Sequence, residues 1–294
     1  MKKQLKLNTL ILIMAAMICF SGCASLGRSF LGKATTPVID TAINKIMDMK
    51  SAQLAREGLP TAVLLVATLA EVAGDNRNAL SQATFLYVAL GLCVEDENKE
   101  YASVLYNTGY EYGLRALKTN RTFRKGIEKG KTVTEMVGVL DRKYTGTLMW
   151  TALAAGLNAM LNMDDPTSMM VLAPCIAMVK RSIALDENYY DGLGNLFMAA
   201  YASVMPELLD ASCGPEQSKI LFDMVRKNNN GHFLFVDLFE ARYLVSLHND
   251  REKFKALLDN VIATDSGVLK GMQMLNEIAK MKAAYSLSHM EKYF

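Results

Sequence analysis

The sequence predicts an all-α protein, a superhelical stack of antiparallel helical hairpins, and three observations carry that reading. Apolar residues recur at third and fourth positions through most of the chain. No stretch sustains the period-two alternation of a strand. Only 6 Pro occur among 294 residues, and 51% of the residues are hydrophobic, with Ala, Leu and Met prominent. The apolar stripes place helices over 38–57, 60–73, 77–94, 98–118, 131–139, 145–163, 167–185, 188–205, 215–228, 232–248, 250–263 and 267–290. Breaks are expected at Gly58 and Pro60, Gly74-Asp75-Asn76, Asp164-Asp165-Pro166, Cys213-Gly214-Pro215, Asn228-Asn229-Asn230-Gly231 and Asp265-Ser266-Gly267. Connections this short turn neighbouring helices into antiparallel pairs.

The hairpins look repeated. Tetratricopeptide (TPR) first helices carry a bulky residue, Leu, a small residue and an aromatic at x, x+3, x+4 and x+7. Trp150, Leu153, Ala154 and Leu157 follow that spacing, and Tyr190, Leu193, Gly194 and Phe197 follow it more closely. The second-helix stripe of small, aromatic, small falls on Ala102, Tyr106 and Gly109 and again on Ser218, Phe222 and Val225. Phe254 and Leu257 repeat it loosely. A small residue is needed where the two helices of a hairpin touch. The units are separated by more than 34 residues, so insertions interrupt the stack. The expected domain spans 38–294.

The first residues are a separate matter. Lys2, Lys3 and Lys6 precede the apolar run Leu10–Ile18, and Ser21-Gly22-Cys23 follows. A positive region, a short apolar region and a small-residue cleavage site make a secretory signal over 1–22. The apolar run is shorter than the roughly 20 residues of a membrane span. Ser21-Gly22-Cys23 matches the end of a lipobox, so Cys23 is the expected lipidation site and new N-terminus. Residues 23–37 mix small residues, Gly and Pro and read as a lipidated tether. These features predict a periplasmic lipoprotein. Ala24 replaces the Asp that retains many lipoproteins at the inner membrane, which favours the outer one.

Removing Lys2, Lys3 and Lys6 takes the formal charge from +2 to −1. A nearly neutral domain has no electrostatic footprint for nucleic acid. Cys19 leaves with the signal. Cys93 and Cys175 are expected to be buried, inert thiols in helices, and one pairing among Cys93, Cys175 and Cys213 is left open. Gly126-Ile127-Glu128-Lys129-Gly130-Lys131-Thr132 is one residue short of a phosphate-binding loop and follows no buried strand. His232, His248 and His289 stand apart from any metal-ligand spacing. Asp164-Asp165 before Pro166 reads as a helix cap, and no GxSxG occurs. The expectation is a non-enzyme with no metal and no cofactor.

Several short stretches together resemble a known family. They are Arg56-Glu57-Gly58-Leu59-Pro60, the run from Tyr101 to Leu117 with Tyr106, Tyr110, Gly113, Arg115 and Ala116, then Leu148-Met149-Trp150-Thr151-Ala152, and Leu185-Asp186-Glu187-Asn188-Tyr189-Tyr190-Asp191-Gly192. In this order, after a lipobox, they resemble the T component of TRAP (tripartite ATP-independent periplasmic) transporters, from residue 56 to about residue 262. The resemblance implies TPR-like hairpins, a homotrimer and a pore through each protomer. It implies partnership with the extracytoplasmic solute-binding P component, which the protein would help to acquire a small hydrophobic ligand. The alternative is a TPR scaffold lipoprotein for envelope assembly, with no small-molecule ligand.

A ligand passage would be lined by first-helix residues that the core does not use. The candidates are Tyr106, Tyr110, Arg115, Trp150, Asn158, Tyr189, Tyr190 and Asn195. Tyr and Trp offer apolar area with a polar handle. TPR spacing assigns Trp150 and Tyr190 to the core in the first instance, and Arg115 has a salt bridge as its simpler role. Tyr189 and Asn158 fall off the packing stripe and stand first. Met160, Met163, Met169, Met170, Met178, Met198 and Met205 cluster mid-chain; a deformable apolar channel and a loosely packed core account for them equally.

Overall fold

The computed structural model describes residues 35–294. The signal segment 1–22, Cys23 and the tether up to residue 34 lie outside the described residues. The chain is an all-α stack, and no strand occurs among the described residues. The helices are α1 over 35–47, then α2 (Ala52–Ala73), α3 (Arg77–Val94), α4 (Lys99–Lys118), α5 (Arg121–Glu128), α6 (Val133–Met136), α7 (Thr145–Leu161), α8 (Leu172–Leu185), α9 (Leu193–Val204), α10 (Pro215–Asn228), α11 (Phe235–Phe239), α12 (Arg251–Ala263) and α13 (Gln273–Ser288). Helix α11 runs on as π-helix through Glu240–Val245. Among the described residues, no helix is long and apolar enough to cross a membrane.

The expected boundaries hold closely for α3, α4, α10 and α12. They fail first at Gly58 and Pro60, which lie inside α2 rather than between helices. An interior Pro costs a helix about 3 kcal/mol. Here one buried stripe, Ala55, Leu59, Val63, Val66, Ala67 and Ala70, continues through the Pro against α3 and offsets that cost. The true break is at residues 48–51, where Ser51 caps α2 by accepting the Leu54 N–H at 3.2 Å. Helix α5 was not expected at all. Asn120 caps it by accepting from Thr122 and Phe123, and Phe123 anchors it as a fully buried ring. Further along the chain, α9 starts later than the apolar pattern implies. Tyr190, Asp191 and Gly192 have φ of +46°, +54° and +87°, a left-handed run that holds the turn open until Leu193.

Helix α7 is the centre of the stack. It packs on α3, α4 and α8 and is buried on almost every side, as a helix apolar all round must be. Close approach to α4 rests on Gly113. A Cβ there would fall 2.2 Å from Thr151 Oγ1 and 2.8 Å from Thr151 Cβ. Thr151 is fully buried and its hydroxyl donates to the Thr147 carbonyl at 2.6 Å, so it is pinned.

The stack closes on itself. Helix α13 packs on α12 and also on α2 and α3, which lie at the opposite end of the sequence. Lys282 of α13 donates to Glu95 at 2.6 Å and to Asp96 at 2.9 Å. Arg242 of the π-helix grips Asp96 with both terminal nitrogens, at 3.0 and 2.9 Å. Its Nε donates to Ser286 Oγ at 2.8 Å. The C-terminal end of α3 thereby meets the middle of the π-helix and of α13 in one buried cluster.

A Gly113→Val substitution should destabilise the protein by about 3 kcal/mol through overpacking, a larger effect than the helix propensity it recovers. Gly58, where an added Cβ meets nothing within 4 Å, should accept Ala with a gain of about 1 kcal/mol. Urea unfolding of the two variants measures both. Equal midpoints would mean that α4 and α7 do not touch at Gly113.

Candidate functional site

Small residues on α7 and α9 leave an apolar cavity of about 280 Å³ between α7, α8, α9, the segment after α9 and α11. Ala159 and Ala200 border the space, and Phe197 packs against Gly156 as one wall. Leu153, Leu157, Met160, Leu172, Phe197, Tyr201, Val204, Met205 and Phe239 line it. Burial raises the Tyr201 hydroxyl to about 12, so it stays protonated. The volume is nearly twice the roughly 150 Å³ of an apolar cavity that admits benzene. Met163 and Leu209 also line the cavity and are 61% and 71% exposed, so they form its rim. Leu208, 95% exposed, lies next to Leu209 in the chain.

A second cavity, of about 210 Å³, shares the wall Leu157, Met160, Met163 and Val204 with the first. Its other lining is Leu161 and a polar group, Glu95, Asp96, Arg242, Tyr243 and Tyr293. Phe239 of the apolar cavity and Tyr243 of the polar one are one turn apart and meet edge-on, with ring centroids 5.2 Å apart. Burial works against the Asp96 charge, but Lys282 and Arg242 outweigh it and hold the carboxyl below its usual range. Burial likewise opposes the Arg242 charge, and Asp96 more than compensates. Glu95 also accepts from the Tyr106 hydroxyl. Tyr243 also lines this cavity, and its hydroxyl has no hydrogen-bond partner among the described residues.

None of the eight residues singled out from sequence lines the apolar cavity. Tyr106 is fully buried and fixes Glu95. Tyr110 is half-buried against the core. Arg115 grips Glu71 at 2.5 and 3.0 Å over the Tyr112 ring, a surface ion pair. Trp150, Tyr189 and Tyr190 form one aromatic cluster with Phe85. Trp150 packs 4.7 Å from Phe85 and 5.1 Å from Tyr190, and Tyr189 packs 4.8 Å from Tyr190. The Trp150 Nε1 donates to the Tyr189 hydroxyl at 3.0 Å. The expectation that packing leaves Tyr189 free is therefore corrected: its turn folds back over α7 and seats the ring. Asn195 is buried on α9. Asn158 faces a separate polar cavity of about 360 Å³ with Ser103, Asn107 and Asn162. It accepts from Ser103 at 2.7 Å and donates to Asn107 at 2.9 Å.

The methionine cluster was the useful sequence signal. Met160, Met163 and Met205 line the apolar cavity, while Met178 belongs to the core. Phe239, Arg242 and Tyr243 were missed. Their only trace in the sequence is three charges, Asp237, Glu240 and Arg242, inside an otherwise largely apolar run. Cys93, Cys175 and Cys213 are free and buried, and burial raises Cys93 and Cys175 to about 12. Cys213 lies in a turn before α10. The glycine-containing stretch at 126–132 is the end of α5 and the turn into α6, with Gly126 packed over Met136.

Two measurements test this arrangement. Tyr189→Ala removes a packed ring and leaves the buried Trp150 N–H without its acceptor, so it should lower unfolding free energy by about 3 kcal/mol; an unchanged melting temperature would place Tyr189 outside the core. The Asp96 carboxyl is depressed when folded, so the stability it supplies is present above the usual Asp value of about 4. That stability is lost as pH falls through the folded value. Asp96→Asn should therefore be less stable at neutral pH and show a shallower loss as pH falls below about 4. Equal slopes in acid unfolding would refute the coupling.

No curated protein matches this chain. The profile of the TRAP transporter T-component family matches residues 50–294, which includes α2 to α13 and both cavities. The chain belongs to the TRAP transporter T-component family.

Proposed function

We propose that this T component takes up a small apolar or amphipathic solute in the cavity between α7 and α9 and passes it to or from the solute-binding P component of its transporter. The single observation that carries this reading is the cavity itself. It is bounded by Leu, Met, Ala and Phe side chains, has room for a small ligand, and opens at a rim of exposed apolar residues. Exposed apolar side chains such as Leu208, Leu209, Met163 and Met170, 77% exposed, are costly to keep in water unless a partner covers them. The rim is the surface on which the P component docks, with the mouth of the cavity facing the partner's own site. The protein acts by binding and not by catalysis.

The rest of the reading follows from sequence and, for the trimer, from the family resemblance alone. Lipid on Cys23 tethers the domain to the periplasmic face of a membrane, the outer one by the absence of Asp after Cys23. The hairpins stack in TPR-like fashion, and the assembly is a homotrimer. A face for self-association is available on α2, where Leu54, Leu64, Leu65 and Val72 are 53%, 69%, 52% and 44% exposed.

The full-length mature chain carrying Cys23→Ser, which avoids competing detergent, is the material for the test. The apolar dye phenylnaphthylamine should bind it with a rise in fluorescence. Ala200→Phe fills the cavity from α9 and should reduce dye affinity at least about tenfold, the equivalent of ~1.4 kcal/mol, without lowering the melting temperature. Leu208→Glu with Leu209→Glu should keep the dye and lose the P component in a pull-down. Dye bound equally by wild type and Ala200→Phe would remove the cavity from the mechanism.

A further inference from the structure

We propose that the solute is an uncharged amphiphile whose hydroxyl-bearing head sits in the polar cavity against Tyr243, Glu95 and Asp96, with its hydrocarbon tail in the apolar cavity. This rests on the reading above and adds the chemical class of the ligand. The two cavities share Leu157, Met160, Met163 and Val204, and Phe239 and Tyr243 continue one aromatic edge from one into the other. A single ligand spanning both would have an apolar end and a polar end. Met160 and Met163, on the shared wall, are unbranched and can move aside.

The polar cavity specifies the head by what it has already satisfied. Glu95 and Asp96 balance Arg242 and Lys282, so the cluster has no net charge. Their side chains are 8%, 18%, 6% and 0% exposed. A carboxylate or ammonium head would bring an uncompensated charge against these largely buried groups, which is unfavourable. A wholly apolar ligand would strip water from the Tyr243 hydroxyl and leave it with no partner. The capacity left over fits a hydroxyl. The Tyr243 hydroxyl can donate and accept, and it has no protein partner among the described residues. Asp96 accepts three hydrogen bonds, from Arg242 twice and Lys282 once, and Glu95 accepts two, from Lys282 and Tyr106. Each carboxylate has about four acceptor sites, so acceptors remain for a donor on the ligand. Arg242 uses its N–H groups on Asp96, Ser286 and the Lys282 carbonyl. Acceptors and one amphoteric hydroxyl therefore outnumber free donors, which suits an alcohol or polyol.

The test is displacement of phenylnaphthylamine from the mature Cys23→Ser chain by ligands with one lauryl tail and different heads: monolaurin, lauryl alcohol, laurate and laurylamine. Monolaurin or lauryl alcohol should displace the dye at concentrations about tenfold lower than laurate or laurylamine. Parity between monolaurin and lauryl alcohol assigns a single hydroxyl, and an advantage for monolaurin assigns a polyol head; both support the proposal. Tyr243→Phe keeps the ring against Phe239 and removes only the unpartnered hydroxyl, so it should melt as wild type and bind the dye as wild type. It should lose most of the preference for the neutral heads. Laurate or laurylamine equal to or better than the alcohols would overturn the proposal while leaving the apolar cavity in place, and so would an unchanged preference in Tyr243→Phe. No dye binding at all would overturn both this proposal and the reading on which it rests.

Discussion

Everything in this molecule is arranged around four charges that meet where the two ends of the helical stack come together. Glu95 and Asp96 end α3, Arg242 projects from the π-helix and Lys282 from α13. Burying them is expensive, and only mutual pairing with additional hydrogen bonds makes it tolerable. The pairing is nearly complete: Tyr106, Ser286 and the carbonyls of Lys282 and Leu92 take up further bonds. Charges so far apart in sequence cannot pair until the hairpins are stacked in order. The cluster therefore selects the closed stack over an open one, since the open form would leave each charge without its partners.

Closure also decides where the empty space lies. Helix α7 is surrounded by α3, α4 and α8, and glycine or alanine sits wherever backbones come close. Next to those contacts, small residues on α7 and α9 border the apolar cavity, with Phe197 packed against Gly156 as one of its walls. The π-helix sets its polar end. Glu240–Val245 is wound more widely than an α-helix, and π turns are found at functional positions more often than chance. Here the turn brings both Arg242 and Tyr243 to one cavity while Phe239 faces the next. Structural charge and ligand-facing hydroxyl are thus adjacent residues with different duties.

The elements differ in how far they could be read from the chain. Helices α3, α4, α10 and α12 were legible because a strong apolar period ended at a polar cap or a glycine. Pro60 misled because local propensity argues for a break, while the stripe from Ala55 to Ala70 gains more by burial than the Pro loses. Helix α5 was invisible because its charged, short sequence owes its order to one buried ring, Phe123, and to a cap. Trp150 and Tyr190, which TPR spacing assigns to the core, pack there, and Tyr189 joins them. Tyr189 lies off the helical stripe, yet the left-handed turn at Tyr190–Gly192 returns its ring to Trp150.

By itself, the sequence determined the helical class, most helix positions and the mid-chain methionines, because these depend on neighbours a few residues away. It also supplied the ordered short motifs that resemble the T component of TRAP transporters. Tertiary structure alone decided which residues enclose the cavities. A cavity is defined by atoms that are missing between elements, and periodicity records only what each helix presents. Glu95, Asp96, Arg242 and Lys282 become one site through contacts across roughly half or more of the chain, at separations of 146, 186 and 187 residues. No local rule links residues so distant; only the closed packing of α13 on α2 and α3 brings them together.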